Sequence, residues 1–243
     1  IIGSSMTDIN YLATLPTALM IVGTAFGSLI ASKIMKMKGR KFGFSIASII
    51  NSLFSLFCAY AILINSFELF CLGNLIIGLS VAFAQQYRFA ASESVEKSNI
   101  PKAISLILLL GIVASLLGAN IVSVTKDFHQ ITYVGSYISM SLLTIIPFFF
   151  FVFYKNEEKI ESKIIKSQKS IFELLSNKNI QLSILSAGIG YTTMSTLMTA
   201  TPISMNMMHG FSLFSTGIVL QIHVVGMFLP SLITGDLIKI FGH

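Results

Sequence analysis

The residues best suited to chemistry in this chain are uncharged polar side chains inside long apolar segments. The most polar of these segments covers residues 191–202 and is rich in Ser, Thr and Met. Hydroxyl groups bind donors and acceptors of a ligand, and the Met thioether makes polarizable contacts with rings. The pattern predicts the lining of a cavity for a flat, partly polar ligand, and helix packing is the alternative. The predicted substrate contacts here are Tyr191, Thr193, Met194 and Thr196.

A second candidate is His223, which falls near the middle of a later apolar segment with Gln221 nearby. Its imidazole could hydrogen-bond a substrate carbonyl or bind a proton, whereas the plainer interpretation is a neutral His that donates to a neighbouring helix. Polar groups that face lipid would have no hydrogen-bond partner. We therefore predict that His223, Thr193 and Thr196 point toward an interface between two helical halves.

A third polar cluster lies in the inward half of an earlier apolar segment. Uncharged amides suit ring nitrogens and carbonyls, so Gln85 and Gln86 are predicted substrate contacts. A cation inside the hydrocarbon costs roughly 2.5 to 3.5 kcal/mol on insertion scales, so Arg88 needs an acceptor or the interface. Glu93 and Glu96 are near in sequence. We interpret Arg88 and Glu93 as a gate or scaffold at the cytoplasmic mouth.

Motifs of catalysis are missing from the sequence. It contains no His-Glu-x-x-His zinc motif, no phosphate-binding Gly-rich loop with Lys-Ser/Thr and no Gly-x-Ser-x-Gly elbow. Two cysteines within apolar segments, Cys58 and Cys71, are more often buried free thiols than a ligand pair. The sequence therefore predicts neither an enzyme nor a bound metal or cofactor.

Composition places these residues in a lipid bilayer. The 243 residues are 54% hydrophobic and 11% charged, with a mean hydropathy of +0.82, which leaves too little polar surface to cover a soluble globule. Apolar segments of about 20 residues cross the hydrocarbon layer as helices, so we predict an all-α, multi-pass membrane protein with about seven transmembrane helices. The predicted spans are residues 9–34, 42–64, 67–91, 103–124, 131–154, 180–205 and 212–238.

Lysine and arginine predict the orientation of these spans. They concentrate at residues 33–41, at 88–102 and at 155–178, whereas Lys126 alone lies on the opposite side of the predicted membrane. Cytoplasmic loops carry such an excess. We therefore expect the cell inner (cytoplasmic) membrane, with these loops inside. Anionic lipid headgroups account for the pI of about 9.3, so no nucleic acid partner is predicted.

Residues 155–179 differ in composition from the rest of the chain, because they mix both signs of charge with few apolar residues. This pattern predicts a solvated amphipathic linker in the cytoplasm. We expect residues 1–154 to form a six-helix bundle without its first helix, and residues 180–243 to begin a second bundle with two helices, as part of a longer protein. A short repeat supports related halves, since residues 32–39 recur as 235–242 with Gly39 and Gly242 in register.

The six-helix count, the central cytoplasmic stretch and the inner-loop residues Gly39, Arg40 and Lys41 resemble the major facilitator superfamily. The superfamily signature Gly-x-x-x-Asp-Arg-x-Gly-Arg-Arg matches these three residues. The departures from it are Ser32, Lys36 and Met37. The resemblance implies that Gly39, Arg40 and Lys41 belong to a cytoplasmic gate.

Four segments resemble bacterial riboflavin transporters within that superfamily more specifically. They are residues 87–91, 101–105, 198–202 and 223–231. The resemblance implies a secondary transporter that moves a small organic solute, riboflavin or a related metabolite, by alternating access. These segments are not substrate signatures, so other solutes stay open. We expect a monomer with a small-molecule substrate in the lipid bilayer.

A seven-helix receptor or retinal-type protein is the alternative from another class, although the last span has no mid-membrane Lys for a Schiff base. Acidic residues also lie at span ends or in the linker, so no span holds a mid-membrane carboxylate. Proton-driven symport needs a titratable group in the pathway. We therefore predict facilitated or weakly proton-linked transport, with His223 as the candidate coupling residue.

Overall fold

The computed structural model describes residues 2–96, 99–153, 175–230 and 233, and these form helices joined by turns. The helices are α1 (Ile2–Met6), α2 (Leu15–Lys38), α3 (Arg40–Leu63), α4 (Phe67–Ala84), α5 (Tyr87–Glu93), α6 (Ile100–Thr125), α7 (Val134–Phe153), α8 (Lys178–Pro202) and α9 (Leu213–Phe228). A 3₁₀ turn, Asn10–Leu12, precedes α2, and a π-helical turn, Ile203–Met208, follows α8. The predicted all-α class is confirmed.

The multi-pass architecture is confirmed as well. Helices α2, α3, α6 and α7, together with the continuous stretch of α4 and α5, are long and apolar enough to cross a membrane by length and composition. Helix α8 has 25 residues but is more polar, and α9 is a shorter apolar helix of 16 residues. Most of the predicted linker and the second copy of the repeat, residues 235–242, lie outside the described residues.

Two predicted span boundaries were wrong for physical reasons. The first span was predicted to begin at residue 9, but α2 begins at Leu15, because Pro16 suits the first turn of a helix and not its interior. It continues to Lys38, where cations in the last turn face the negative end of the helix dipole. The third predicted span matches one apolar stretch, Phe67–Glu93, which ends two residues beyond the predicted boundary and turns at Gln85 and Gln86 between α4 and α5.

Helices α2 and α4 pack closely through glycines that face each other. A Cβ atom at Gly23 would lie 2.1 Å from the carbonyl oxygen of Leu75, and one at Gly78 would lie 2.1 Å from that of Met20. The Thr24 hydroxyl donates to the Gly78 carbonyl at 3.1 Å. Association of helices in lipid depends on such close packing and hydrogen bonding. Lipid tails are as apolar as the helix surfaces, so the hydrophobic effect does not drive the helices together. The pair therefore requires glycine at both positions.

Polar side chains on one face of α3 join it to α4 and α7. The Asn51 Nδ2 atom donates to Ser80 Oγ of α4 at 2.9 Å, and Ser52 Oγ shares a hydrogen bond with Ser141 Oγ of α7 at 2.8 Å. The Ser48 hydroxyl donates to a carbonyl of α7. These residues recur every three or four positions, which places them on one helix face. They satisfy one another's polar groups and fix α3 between α4 and α7.

Substitution of Gly78 by Ala tests the close packing of α2 and α4. The added methyl group would meet backbone atoms that cannot move aside, so we expect a loss of roughly 1–3 kcal/mol in stability, as for other overpacked sites. The control is Gly118→Ala in α6, where a Cβ would meet nothing within 4 Å. Thermal unfolding of the detergent-solubilised protein compares the two, and equal midpoints would contradict the packing.

Candidate functional site

A cleft of about 530 Å³ lies between α2 and α8, near the ends that the charge pattern places outside the cell. The two helices come from opposite sides of the central stretch 155–179. Six of the lining side chains carry a hydroxyl group, and none is charged. The lining residues are Thr14, Thr17, Ala18, Ile21, Ser195, Thr196, Thr199, Ala200, Ile203, Ser204 and Met208.

Helical spacing brings the hydroxyl groups of the cleft together. Ser195 and Thr199 are four residues apart on α8, with Thr196 beside them, and Thr14 and Thr17 are three residues apart at the start of α2. The Thr196 hydroxyl donates to the carbonyl of its own helix at 2.9 Å, which leaves its oxygen lone pairs as acceptors. The cleft therefore offers several hydrogen-bonding groups between apolar walls.

The π-helical turn Ile203–Met208 forms the outer end of the cleft. Pro202 has no backbone N–H, so the regular hydrogen-bond ladder of α8 is interrupted there. The next turn is wider, and the His209 N–H donates to the Ser204 carbonyl five residues earlier at 3.1 Å. Short π-helical turns occur frequently at functional sites. This turn places Ser204 and Met208 against the cleft.

Of the substrate contacts predicted from the sequence, Thr196 lines this cleft and the others do not. Tyr191, Thr193 and Met194 lie on α8 closer to its cytoplasmic end. The Thr193 side chain is exposed, and its hydroxyl donates to the Ile189 carbonyl of the same helix at 3.0 Å. Their roles as substrate contacts stay predictions.

Gln221 and His223 lie on α9, which packs against α6. The Gln221 Nε2 atom donates to the Leu116 carbonyl of α6 at 3.3 Å, so this side chain already connects the two helices. His223 shares another face of α9 with buried Thr216, seven residues earlier. Its Nε2 atom is buried and has no hydrogen-bond partner within the part of the chain that the structure describes. Such an atom is open to a ligand, a proton or water.

The three residues of the inner-loop signature connect α2 and α3 to two other helices. Gly39 has φ 84° and ψ 164°, a conformation that side-chain-bearing residues rarely adopt. The turn places Arg40 where its guanidinium binds the Glu93 carboxylate of α5 through two contacts, of 2.6 and 2.5 Å. The Lys41 ammonium donates to the Val152 carbonyl in the last turn of α7 at 2.7 Å. The loop thereby joins α3 to α5 and α7.

The predicted acceptor of Arg88 was wrong, because Glu93 binds Arg40 instead. The Arg88 guanidinium lies over the ring of Phe89, 5.0 Å from its centroid, and the side chain is exposed. A cation–π contact at an exposed site stabilises the Arg88 guanidinium without a carboxylate partner. Gln85 is exposed and Gln86 half-buried in the same cytoplasmic turn. None of these three residues lines the cleft.

A second cavity, of about 620 Å³, is lined mainly by α4, α6 and α7, and therefore lies largely within one part of the chain. Tyr133 borders it from the loop before α7, with an unusual backbone φ of 74°. Burial, and secondarily Asp127, raises the pKa of Tyr133 above its ordinary value, so its phenol stays protonated at neutral pH. Of these two cavities in the described part of the chain, the first has several lining residues on each side of residues 155–179, and we take it as the candidate site.

The sequence interpretation missed Thr14, Thr17 and Ser204 as lining residues. Thr14 and Thr17 flank Pro16, where hydroxyl residues ordinarily indicate the start of a helix. Their three-residue spacing on an otherwise apolar segment was the available signal. Ser204 enters the cleft through the π-helical turn, for which the sequence offered no periodic pattern.

Long apolar helices, with a cleft that carries hydroxyl groups between two of them, define a multi-pass membrane protein. The chain belongs to the Major Facilitator Superfamily, whose family model matches residues 1–243.

Three curated relatives match the whole of this chain. It is 31% identical over 245 residues to the Riboflavin transporter RfnT of Brucella anthropi, which covers 61% of that protein. It is 26% identical to two uncharacterized MFS-type transporters of Bacillus subtilis, YddS and YdeG, and covers 59% and 60% of them. The chain thus spans about three fifths of the length of these relatives. No solved structure matches it.

Charge reversal tests which arginine binds Glu93. We expect Glu93→Arg to lower the thermal unfolding midpoint, because two cations would then face each other, and Arg40→Glu in the same protein to restore most of the loss. Exposed pairs contribute about 0.2–1 kcal/mol, and the effect should weaken in high salt. Arg88→Glu is the control and should not rescue Glu93→Arg. Rescue by Arg88→Glu alone would contradict the observed pairing.

Proposed function

We propose that this chain belongs to a secondary transporter that carries a small organic solute across the cytoplasmic membrane by alternating access, working as a monomer. The observation that carries the proposal is the cleft between α2 and α8, since it joins helices from both sides of residues 155–179. Membership of a superfamily of transporters supports the same function. Solute sites of such proteins lie between the two halves, where rocking exposes them to each side in turn.

Contacts within the first part of the chain are suited to keep it rigid during such rocking. The Arg40 clamp on Glu93 and the Lys41 bond to Val152 both join helices of residues 1–154. By contrast, Gln221 of α9 donates a hydrogen bond to α6 across the central stretch 155–179. A bond of this kind contributes about 0.6 kcal/mol on average in membrane proteins. We propose that the α6–α9 contact rearranges during transport. Gly39, Arg40, Lys41, Arg88 and Glu93 lie at the predicted cytoplasmic mouth, and their assignment to a gate rests on the resemblance to the superfamily signature and on the charge pattern.

Riboflavin is the first substrate to test. Its flat ring system has polar edges and carries a chain of hydroxyl groups, and the cleft combines apolar walls with the Met208 thioether and six hydroxyls. A volume of about 530 Å³ falls within the range of sites for ligands of this size. The relative from Brucella anthropi supports the same choice through its name and its 31% identity.

In this proposal, His223 is the residue that couples solute transport to the proton gradient. The sequence places its acidic residues at helix ends or in the stretch 155–179, and the buried Nε2 atom of His223 is open to a proton. An imidazole can bind and release a proton, which is what a response to a proton gradient requires. We therefore propose facilitated or weakly proton-linked transport.

Two matched substitutions test whether the cleft binds the solute. Thr199→Val removes a hydroxyl from the cleft, whereas Thr193→Val removes one that lies outside it. A lost hydrogen bond costs about 0.5–1.5 kcal/mol, so we expect Thr199→Val to raise the KM of riboflavin uptake by about 2- to 12-fold in cells with the complete gene. Thr193→Val should stay near wild type. Equal effects of the two variants would exclude the cleft, and lack of riboflavin uptake by the wild type would exclude the substrate.

Accumulation in energised vesicles tests the coupling. We expect modest riboflavin accumulation that an uncoupler reduces slightly or not at all, and weaker uptake by His223→Ala at normal membrane insertion. Measurement of uptake before and after collapse of the proton gradient distinguishes facilitated or weakly coupled transport from strongly proton-driven transport. Strong uncoupler-sensitive accumulation that persists in His223→Ala would contradict both weak coupling and the role of His223.

A further inference from the structure

Within the part of the chain that the structure describes, the cleft between α2 and α8 is lined by hydroxyl groups and apolar surface, and no charged side chain lines it. Six of its eleven lining side chains are Ser or Thr, and the other five are Ala, Ile or Met. Protein sites for phosphate groups ordinarily supply Arg, Lys or several backbone N–H groups. An anion transferred from water into a cleft with uncharged walls would lose hydration without a compensating cation.

The hydrogen-bonding direction of Thr196 adds a second argument. Its hydroxyl proton is donated to the Thr192 carbonyl at 2.9 Å, so its oxygen can only accept. A ligand group beside it must therefore donate an O–H or N–H. A hydroxyl group can do so, whereas the oxygens of a phosphate dianion have no proton to give and would face the lone pairs of Thr196.

The start of α2 is the feature of the cleft that could attract an anion, because helix N-termini carry partial positive charge. It supplies few free donors. Pro16 in the first turn has no N–H, and the Ala18 N–H is already bonded to the Thr14 carbonyl at 3.0 Å. The Thr14 side chain makes no capping hydrogen bond at this end. The first turn is therefore a weak substitute for a cation.

We infer that this cleft selects an uncharged solute that carries hydroxyl or N–H donors and rejects the phosphate monoester of the same solute. The inference rests on the proposed function, in which the cleft binds the transported molecule. Thr196 and Thr199 are the residues to which it assigns specificity, because both face the cleft from α8 and Thr196 requires a donor.

Riboflavin and riboflavin 5′-phosphate are suitable probes, since they differ only in the phosphate group. Quenching of flavin fluorescence by the purified complete protein reports binding of either one without the action of cellular phosphatases. We expect riboflavin to bind at least about tenfold more tightly than its phosphate, which corresponds to about 1.4 kcal/mol. Equal affinity for the two probes, or tighter binding of the phosphate, would overturn the inference while the proposed function stands.

Variants with a cation in the cleft provide the matched test. Thr199→Arg should reduce the preference for riboflavin at least about threefold, because it supplies the missing counter-charge. The uncharged Thr199→Gln should keep the preference, and Ser195→Lys on the same helix face replaces Thr199→Arg if that variant fails to insert. An unchanged preference in both cation variants would overturn the inference. Binding of neither probe to the wild type would reject the proposed function, and the inference with it.

Discussion

The structure depends on one constraint, which is that polar groups inside a lipid bilayer must find their hydrogen-bond partners within the protein. Asn51 and Ser52 of α3 find partners in Ser80 of α4 and Ser141 of α7. Lys41 donates to the Val152 carbonyl in the last turn of α7. The Thr193 hydroxyl donates to the Ile189 carbonyl of its own helix. The buried Nε2 atom of His223 has no partner among the described residues. The proposed function assigns this partner to the solute or to a proton.

Packing strength differs along the chain in a way that suits alternating access. Within residues 2–153, α2 and α4 approach so closely that only glycine fits at the contact, and α3 is joined to α4 and α7 by hydrogen bonds. Between α6 and α9, a Cβ atom at Gly217 would lie 3.4 Å from the Ala119 Cβ atom, so an added methyl group has more room there, and Gln221 donates one hydrogen bond. The proposed alternating access requires that the contact between the two parts rearranges while the closer packing within residues 2–153 stays intact.

The helices, their approximate ends and the importance of Gly39 could be predicted from the sequence, because hydropathy and the special backbone freedom of glycine are local properties. The cleft could not. Thr193 and Thr196 have the same chemistry and both bond their own helix, so only the position of α8 relative to α2 decides which of them lines the cleft. The partner of Arg40 lies 53 residues away, which is why sequence proximity suggested Arg88 for Glu93.

Protection of engineered cysteines by solute tests most directly whether the cleft lies on the transport path. Cys58 and Cys71 are buried, so Thr17→Cys, Thr199→Cys and the comparison variant Thr193→Cys can be labelled with a membrane-impermeant maleimide in right-side-out vesicles. The account predicts that riboflavin slows labelling at positions 17 and 199 but not at 193. Labelling rates that riboflavin leaves unchanged at 17 and 199, or slows equally at all three positions, would contradict it.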